Sequence, residues 1–130
     1  WETDPLGNSF GAGGLFLTLS ELHKFGLFYL NKGSWNGKQI LSEKWIEEST
    51  SASDTDDYGY LFWRGEHNSF RADGKYSQIS MVLLEKNAVV EGSRQRYLCN
   101  YNNRLWAVPA ECRKGEELMR ALYDLVCAKI

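Results

Sequence analysis

Cysteine and histidine are too few and too poorly spaced for the chemistry they usually carry. Cys99, Cys112 and Cys127 form an odd set without a C-x-x-C pair, and only His23 and His67 accompany them, so no metal site is expected. Two readings of the thiols stay open: buried free cysteines acting as small hydrophobes, or one disulfide plus a spare thiol in an oxidising compartment. No uninterrupted apolar run approaches the ~20 residues that cross a bilayer, and no basic-then-apolar signal segment stands at the start. No membrane span is therefore expected. A net charge of −2 and a pI of about 5.7 give no basic footprint for nucleic acid. Internal repeats and low-complexity segments are also absent.

What is present fits a globular chain. Hydrophobic residues make up 43% and charged residues 25% of 130 positions, which argues against disorder and for one domain or a piece of a larger one. Aromatic residues reach 14%, with five tryptophans, enough large rings to fill a core of this size.

Residues 1–41 are densely specified. Gly7, Gly11, Gly13 and Gly14 mark a loop whose residues take positive φ or let another backbone approach. The loop lacks the lysine of a phosphate-binding loop and the G-x-G-x-x-G order, so no cofactor is expected. Thr18 and Glu21 form a capping-box signature. They start a helix over 19–31, with Leu22, Phe25 and Tyr29 as its apolar stripe. Gly26 in its middle implies close contact with another backbone, and Gly33 is a stop. His23 reads as a surface or hydrogen-bonded residue. Asn36-Gly37 signals a tight turn. Ser42 then caps a helix running to about Ser49, with Trp45 and Ile46 facing inward. Such specification is unusual at a chain end, so Trp1 is not expected to be a natural beginning.

From there the period changes. Residues 50–57 read as a solvated loop; Asp54, Asp56 and Asp57 lack the glycine and distal glutamate of a calcium loop. Segments 58–63, 69–73, 78–84 and 88–91 read as strands, and 97–108 as one more, with Glu85-Lys86-Asn87 a hairpin turn. Connections this short require antiparallel neighbours. A helix over 115–129 carries Leu118, Leu122, Leu125 and Val126 on one stripe, suited to covering a sheet face. The expected fold is α+β: a loop and two helices (1–57), antiparallel strands (58–108) and a C-terminal helix (109–130) in a single unit.

The order of parts resembles a known family. Trp1-Glu2 with Pro5 and Gly7, Gly13-Gly14-Leu15, Lys24-Phe25-Gly26, Tyr29-Leu30-Asn31, the run from Trp35 to Leu41 and Ala72-Asp73-Gly74 resemble the C-terminal half of serine hydrolases related to class C β-lactamases and penicillin-binding proteins. The likeness spans roughly 1–90, has no match over 91–116 and returns in the final helix. It implies the C-terminal part of a β-lactamase/transpeptidase-like fold, a small-molecule or peptide substrate for the complete protein, and a bacterial periplasm or cell envelope setting.

The resemblance also implies three catalytic motifs: Ser-x-x-Lys, a Tyr-x-Asn type, and a strand with Lys or His, then Thr, Ser or Gly, then Gly. No serine of this chain has lysine at the third following position, so the segment alone is expected to be inactive. The third motif falls at 68–71 in one register and at Asp73, Gly74 and Lys75 in another, and neither has the family's triplet. Asp73 and Lys75 also fit a charged turn between strands. Two functional classes follow: the C-terminal portion of a serine hydrolase of esterase, peptidase or β-lactamase type, or a non-catalytic domain of the same fold binding a peptide or cell-wall ligand. Cut from a larger protein, the segment is expected to self-associate through unpaired sheet edge and helix face.

Overall fold

Helix α1 (Leu19–Leu30) begins where the capping box requires. Glu21 N–H donates to Thr18 Oγ1 at 3.2 Å, and Thr18 N–H donates to Glu21 Oε2 at 2.7 Å. Gly33, at φ +79°, ends it by donating to Phe28 O at 2.9 Å, a backbone conformation open to glycine at little cost. A two-residue hairpin follows: β1 (Ser34–Trp35) and β2 (Lys38–Gln39) are joined by Asn36 and Gly37, both at positive φ as a type I′ turn demands. Helix α2 (Glu43–Thr50) is capped by Ser42 Oγ, which accepts from Trp45 N–H at 3.1 Å.

This computed structural model describes residues 1–11, 13–53, 57–75, 78–93, 96–101, 104–108 and 115–128. Asp54, Asp56, Ser77, Asn102, Asn103, Cys112 and Lys129, which carried expectations, lie outside them. The six strands β3 (Trp63–Gly65), β4 (Ser69–Gly74), β5 (Gln78–Leu83), β6 (Ala88–Ser93), β7 (Arg96–Tyr101) and β8 (Arg104–Val108) form one antiparallel sheet in chain order. The turn between β5 and β6 is a single 3-10 turn, Leu84–Lys86, after which Asn87 at φ 49° reverses the chain. Helix α3 (Gly115–Cys127) closes the chain. The architecture is α+β.

Because side chains alternate along a strand, the sheet divides cleanly into two buried faces. Ile79, Met81, Leu83, Ala88, Val90 and Cys99 meet Leu122 and Val126 of α3. Phe70 and Val82, on the opposite face, meet Tyr29 of α1, Ile46 of α2 and Phe62. Tyr29, Phe62 and Phe70 pack with ring centroids 4.7 to 6.2 Å apart, tilted or edge-on, the geometry that aromatic quadrupoles favour. Burial on both faces explains the near-continuous apolar runs in β5 and β6.

Several expectations are corrected. Segment 58–63 is not a strand: Tyr58 only bridges Trp63, and Leu61 turns the chain at φ 68°. Tyr60 N–H donates to Ser49 O at 2.9 Å, so this stretch closes the C-terminal end of α2 instead of extending the sheet. Segment 97–108 holds two strands, with Tyr101 opposite Arg104, and Leu84 leaves β5 for the turn. Trp45 is 44% exposed and tilts against Tyr60, because α2 turns only its Ile46, Ser49 and Thr50 side inward. Gly7 and Gly14 take positive φ as expected, whereas a Cβ added at Gly11 or Gly13 would meet open space.

The buried side of α1 is His23, Gly26 and Tyr29, while Phe25 stays 38% exposed. Gly26 faces side chains, not another backbone: a Cβ there would run into Glu91 Oε1 and Val89 Cγ1 and sit 3.0 Å from Ser80 Oγ. Alanine raises helix propensity by about 1 kcal/mol, but overpacking a closed interface costs about 1–3 kcal/mol. Gly26→Ala is therefore expected to lower the midpoint of urea unfolding. A raised midpoint, the result of propensity alone, would contradict the close contact.

Candidate functional site

Two groups of polar residues lie inside this frame, one on each face of the sheet. On the α3 face, β4 carries the residues to which the family resemblance pointed. Asp73 sits opposite Ile79 and Gly74 opposite Gln78. Asp73 Oδ2 accepts from Arg71 Nε at 3.3 Å, and the Arg71 side chain is only 7% exposed. Asp73 is thus the counter-ion of a buried arginine. Lys75 is exposed in the turn beyond β4, and a Cβ on Gly74 would lie 2.9 Å from Gln78 Oε1. These three residues are adjacent at the end of β4 and in the turn beyond it.

The second group was not singled out from the sequence. Ser80 and Glu91 face each other across β5 and β6 on the α1 face, and Ser80 Oγ donates to Glu91 Oε1 at 3.0 Å. His23 of α1 lies above them. The Asn100 amide donates to His23 Nε2 at 3.0 Å, which leaves the ring proton on Nδ1, 4.0 Å from Glu91 Oε1. His23 Nδ1 and Glu91 Oε2 are both buried without a hydrogen-bond partner.

Burial controls the protonation of this group. Removal from water pushes the Glu91 carboxyl up to about 9, only partly opposed by the hydrogen bond from Ser80, while burial holds His23 below its ordinary value. At neutral pH both are uncharged. That is the state a closed interface tolerates, since an ionised carboxylate there has no cation to compensate it. Gly26 brings the helix down directly over Glu91, so substrate cannot reach the carboxyl. The group is a sealed polar seam holding α1 in register on the sheet.

The sequence signal for the seam is a glutamate inside an apolar strand, Ala88-Val89-Val90-Glu91-Gly92. It becomes informative only once both faces of β6 are known to be covered. Among the described residues no three His, Cys, Asp or Glu side chains are grouped to hold a metal ion, and no helix is long and apolar enough to cross a membrane. No protein-family model matches the chain, and no curated protein matches it either.

The seam makes stability pH-dependent in a defined direction. With a folded-state value near 9 against an ordinary 4.5, Glu91 contributes its full share below pH 4.5 and loses it progressively up to about pH 9. His23, shifted down from 6.5, acts oppositely and only at lower pH. Glu91→Gln keeps shape and polarity without titrating. Its stability relative to the parent should be flat below pH 4.5 and should rise by a few kcal/mol towards pH 8, at about 1.4 kcal/mol per unit. Denaturant melts at pH 4, 7 and 8.5 check this; a pH-independent difference would mean that Glu91 is ionised in the folded protein.

Proposed function

We propose that the chain is the C-terminal portion of a β-lactamase-related serine hydrolase of esterase, peptidase or β-lactamase type, acting on a small-molecule or peptide substrate. The observation that carries this reading is the packing of α1 across β5 and β6 through Gly26, the glycine that closes the Lys24-Phe25-Gly26 motif. Other residues of the resemblance also have structural reasons. Gly14 stands at φ +74° against Glu2, and Asn36-Gly37 forms the hairpin turn. In this reading the segment supplies the sheet and its covering helices, while the Ser-x-x-Lys nucleophile belongs to another part of the protein. The 130 residues alone are inactive.

One observation favours a second reading, a non-catalytic domain of the same fold that binds a peptide or cell-wall ligand. In one of the two registers of the resemblance Asp73 falls where the catalytic motif has its cation, and its carboxylate is held by Arg71. Acylation separates the two. The complete protein, treated with a fluorophosphonate or penicillin-type probe, should be labelled on a serine of a Ser-x-x-Lys motif, and the 130-residue segment should not. Absence of labelling in the complete protein would remove the hydrolase reading and leave the binding one.

The same reading accounts for Leu6, Phe10 and Phe16 on the N-terminal loop and Ile40 beside α1, all more than half exposed. They are the surface against which the rest of the hydrolase packs. Expressed alone, the segment should self-associate through these residues. Light scattering should show apparent mass rising with concentration, and a constant monomer mass over a wide range would count against it.

A further inference from the structure

We propose that Asn36, at the tip of the β1–β2 hairpin, is a self-modification site. The Gly37 backbone nitrogen attacks its side-chain amide, and the hairpin passes into aspartate and isoaspartate forms. The proposal does not depend on the hydrolase reading.

The chain holds eight asparagines, and Asn36 alone precedes glycine. A side chain on the following residue crowds the attacking nitrogen, as Lys32 does after Asn31 and Ala88 after Asn87. Gly37 has none, and a Cβ added there would meet open space. Other asparagines also have their amides engaged. Asn8 Nδ2 donates to Asp4 Oδ2 at 3.0 Å, Asn68 Oδ1 accepts from Arg64 Nη2 at 2.8 Å, and the Asn100 amide donates to His23 Nε2 at 3.0 Å. Asn36 and Gly37 are both exposed.

The hairpin is anchored at its base and lightly held at its tip. Ile40 N–H donates to Gly33 O at 2.9 Å, and Gln39 Nε2 donates to Lys32 O at 2.7 Å. Above them stand only two residue pairs, Ser34 with Gln39 and Trp35 with Lys38, and one long contact from Ser34 Oγ to Lys38 O at 3.5 Å. Ring closure requires Asn36 to leave its turn conformation at φ 49°. A ladder this short opens locally while the rest of the fold stays closed.

The chemistry needs hydroxide and water alone. Hydroxide removes the Gly37 amide proton, the nitrogen attacks Asn36 Cγ, the Cγ–Nδ2 bond breaks and ammonia leaves. Water then opens the cyclic imide. Cleavage of the new N–Cγ bond gives aspartate; cleavage at the main-chain carbonyl carbon gives isoaspartate, whose backbone runs through Cγ and is one atom longer. A two-residue turn of the I′ type cannot absorb that atom. The apolar hollow lined by Phe25 and Phe28 of α1 with Trp35 and Ile40 then loses a fixed wall, because Trp35 is a ladder residue.

The test is to age the protein in mildly alkaline buffer and follow the tryptic peptide 33–38 by mass spectrometry, with isoaspartyl methyltransferase labelling for the longer-backbone product. Conversion should appear first in this peptide, and its rate should rise in proportion to hydroxide. It should run less than about a thousandfold slower than in a synthetic peptide of residues 33–38, since opening of the whole fold would slow it by ~10³ or more. Asn36→Gly, which keeps a residue suited to positive φ, should lose the methyl label. Amide exchange in the aged protein should quicken across residues 34–39 and stay unchanged in the six-stranded sheet. A rate a thousandfold or more below that of the free peptide, earlier conversion of another asparagine, full labelling of the Asn36→Gly protein, or unchanged exchange across 34–39 would overturn the proposal.

Discussion

Everything on the α1 face depends on how closely that helix approaches the sheet, and one residue sets the distance. Gly26 has no side chain to keep Glu91, Val89 and Ser80 away. The helix therefore seats low enough for His23 to reach Asn100 on β7 and for Tyr29 to join Phe62 and Phe70. A larger residue would lift α1 off both contacts at once. Close seating has a consequence for charge, because it removes water from Glu91 and leaves the carboxyl protonated at neutral pH.

The two faces of the sheet are built on different principles. Under α3 the centre is apolar, and its polar residues form two separate ion pairs, Arg71 with Asp73 and Arg120 with Glu66. Under α1 the apolar contacts form an aromatic cluster at one end, and the polar residues form a closed neutral seam at the other. Charge that stays near solvent can exchange partners; the buried seam cannot. Structural specificity therefore belongs with the seam under α1.

Features set by neighbouring residues were legible in the sequence. Thr18 with Glu21, Asn36 with Gly37, and the Glu85-Lys86-Asn87 reversal each fold through contacts a few residues apart. Strands 69–73, 78–84 and 88–91 showed themselves through composition, within a residue or two. What was hidden depends on distant partners. The stripe Leu22, Phe25 and Tyr29 caught Tyr29 but missed the rest of the buried side of α1, which contains a histidine and a glycine that answer to Glu91 and Asn100, about seventy residues away. Segment 58–63 has strand composition, yet Gly59 packs against the carbonyls of Ser49 and Ser51 and the chain turns at Leu61. In Phe70-Arg71-Ala72-Asp73 the alternation looks like a strand with one wet face; α3 covers that face, so Arg71 is buried with Asp73 as counter-ion.

The protonation of Glu91 tests the closed α1 contact most directly. Carbon-detected NMR of the side-chain carboxyl, assigned by its absence in Glu91→Gln, should show a protonated group through neutral pH with a midpoint near 9. A midpoint close to the ordinary 4.5 would mean that water reaches the carboxyl, and that α1 does not seat on the sheet through Gly26.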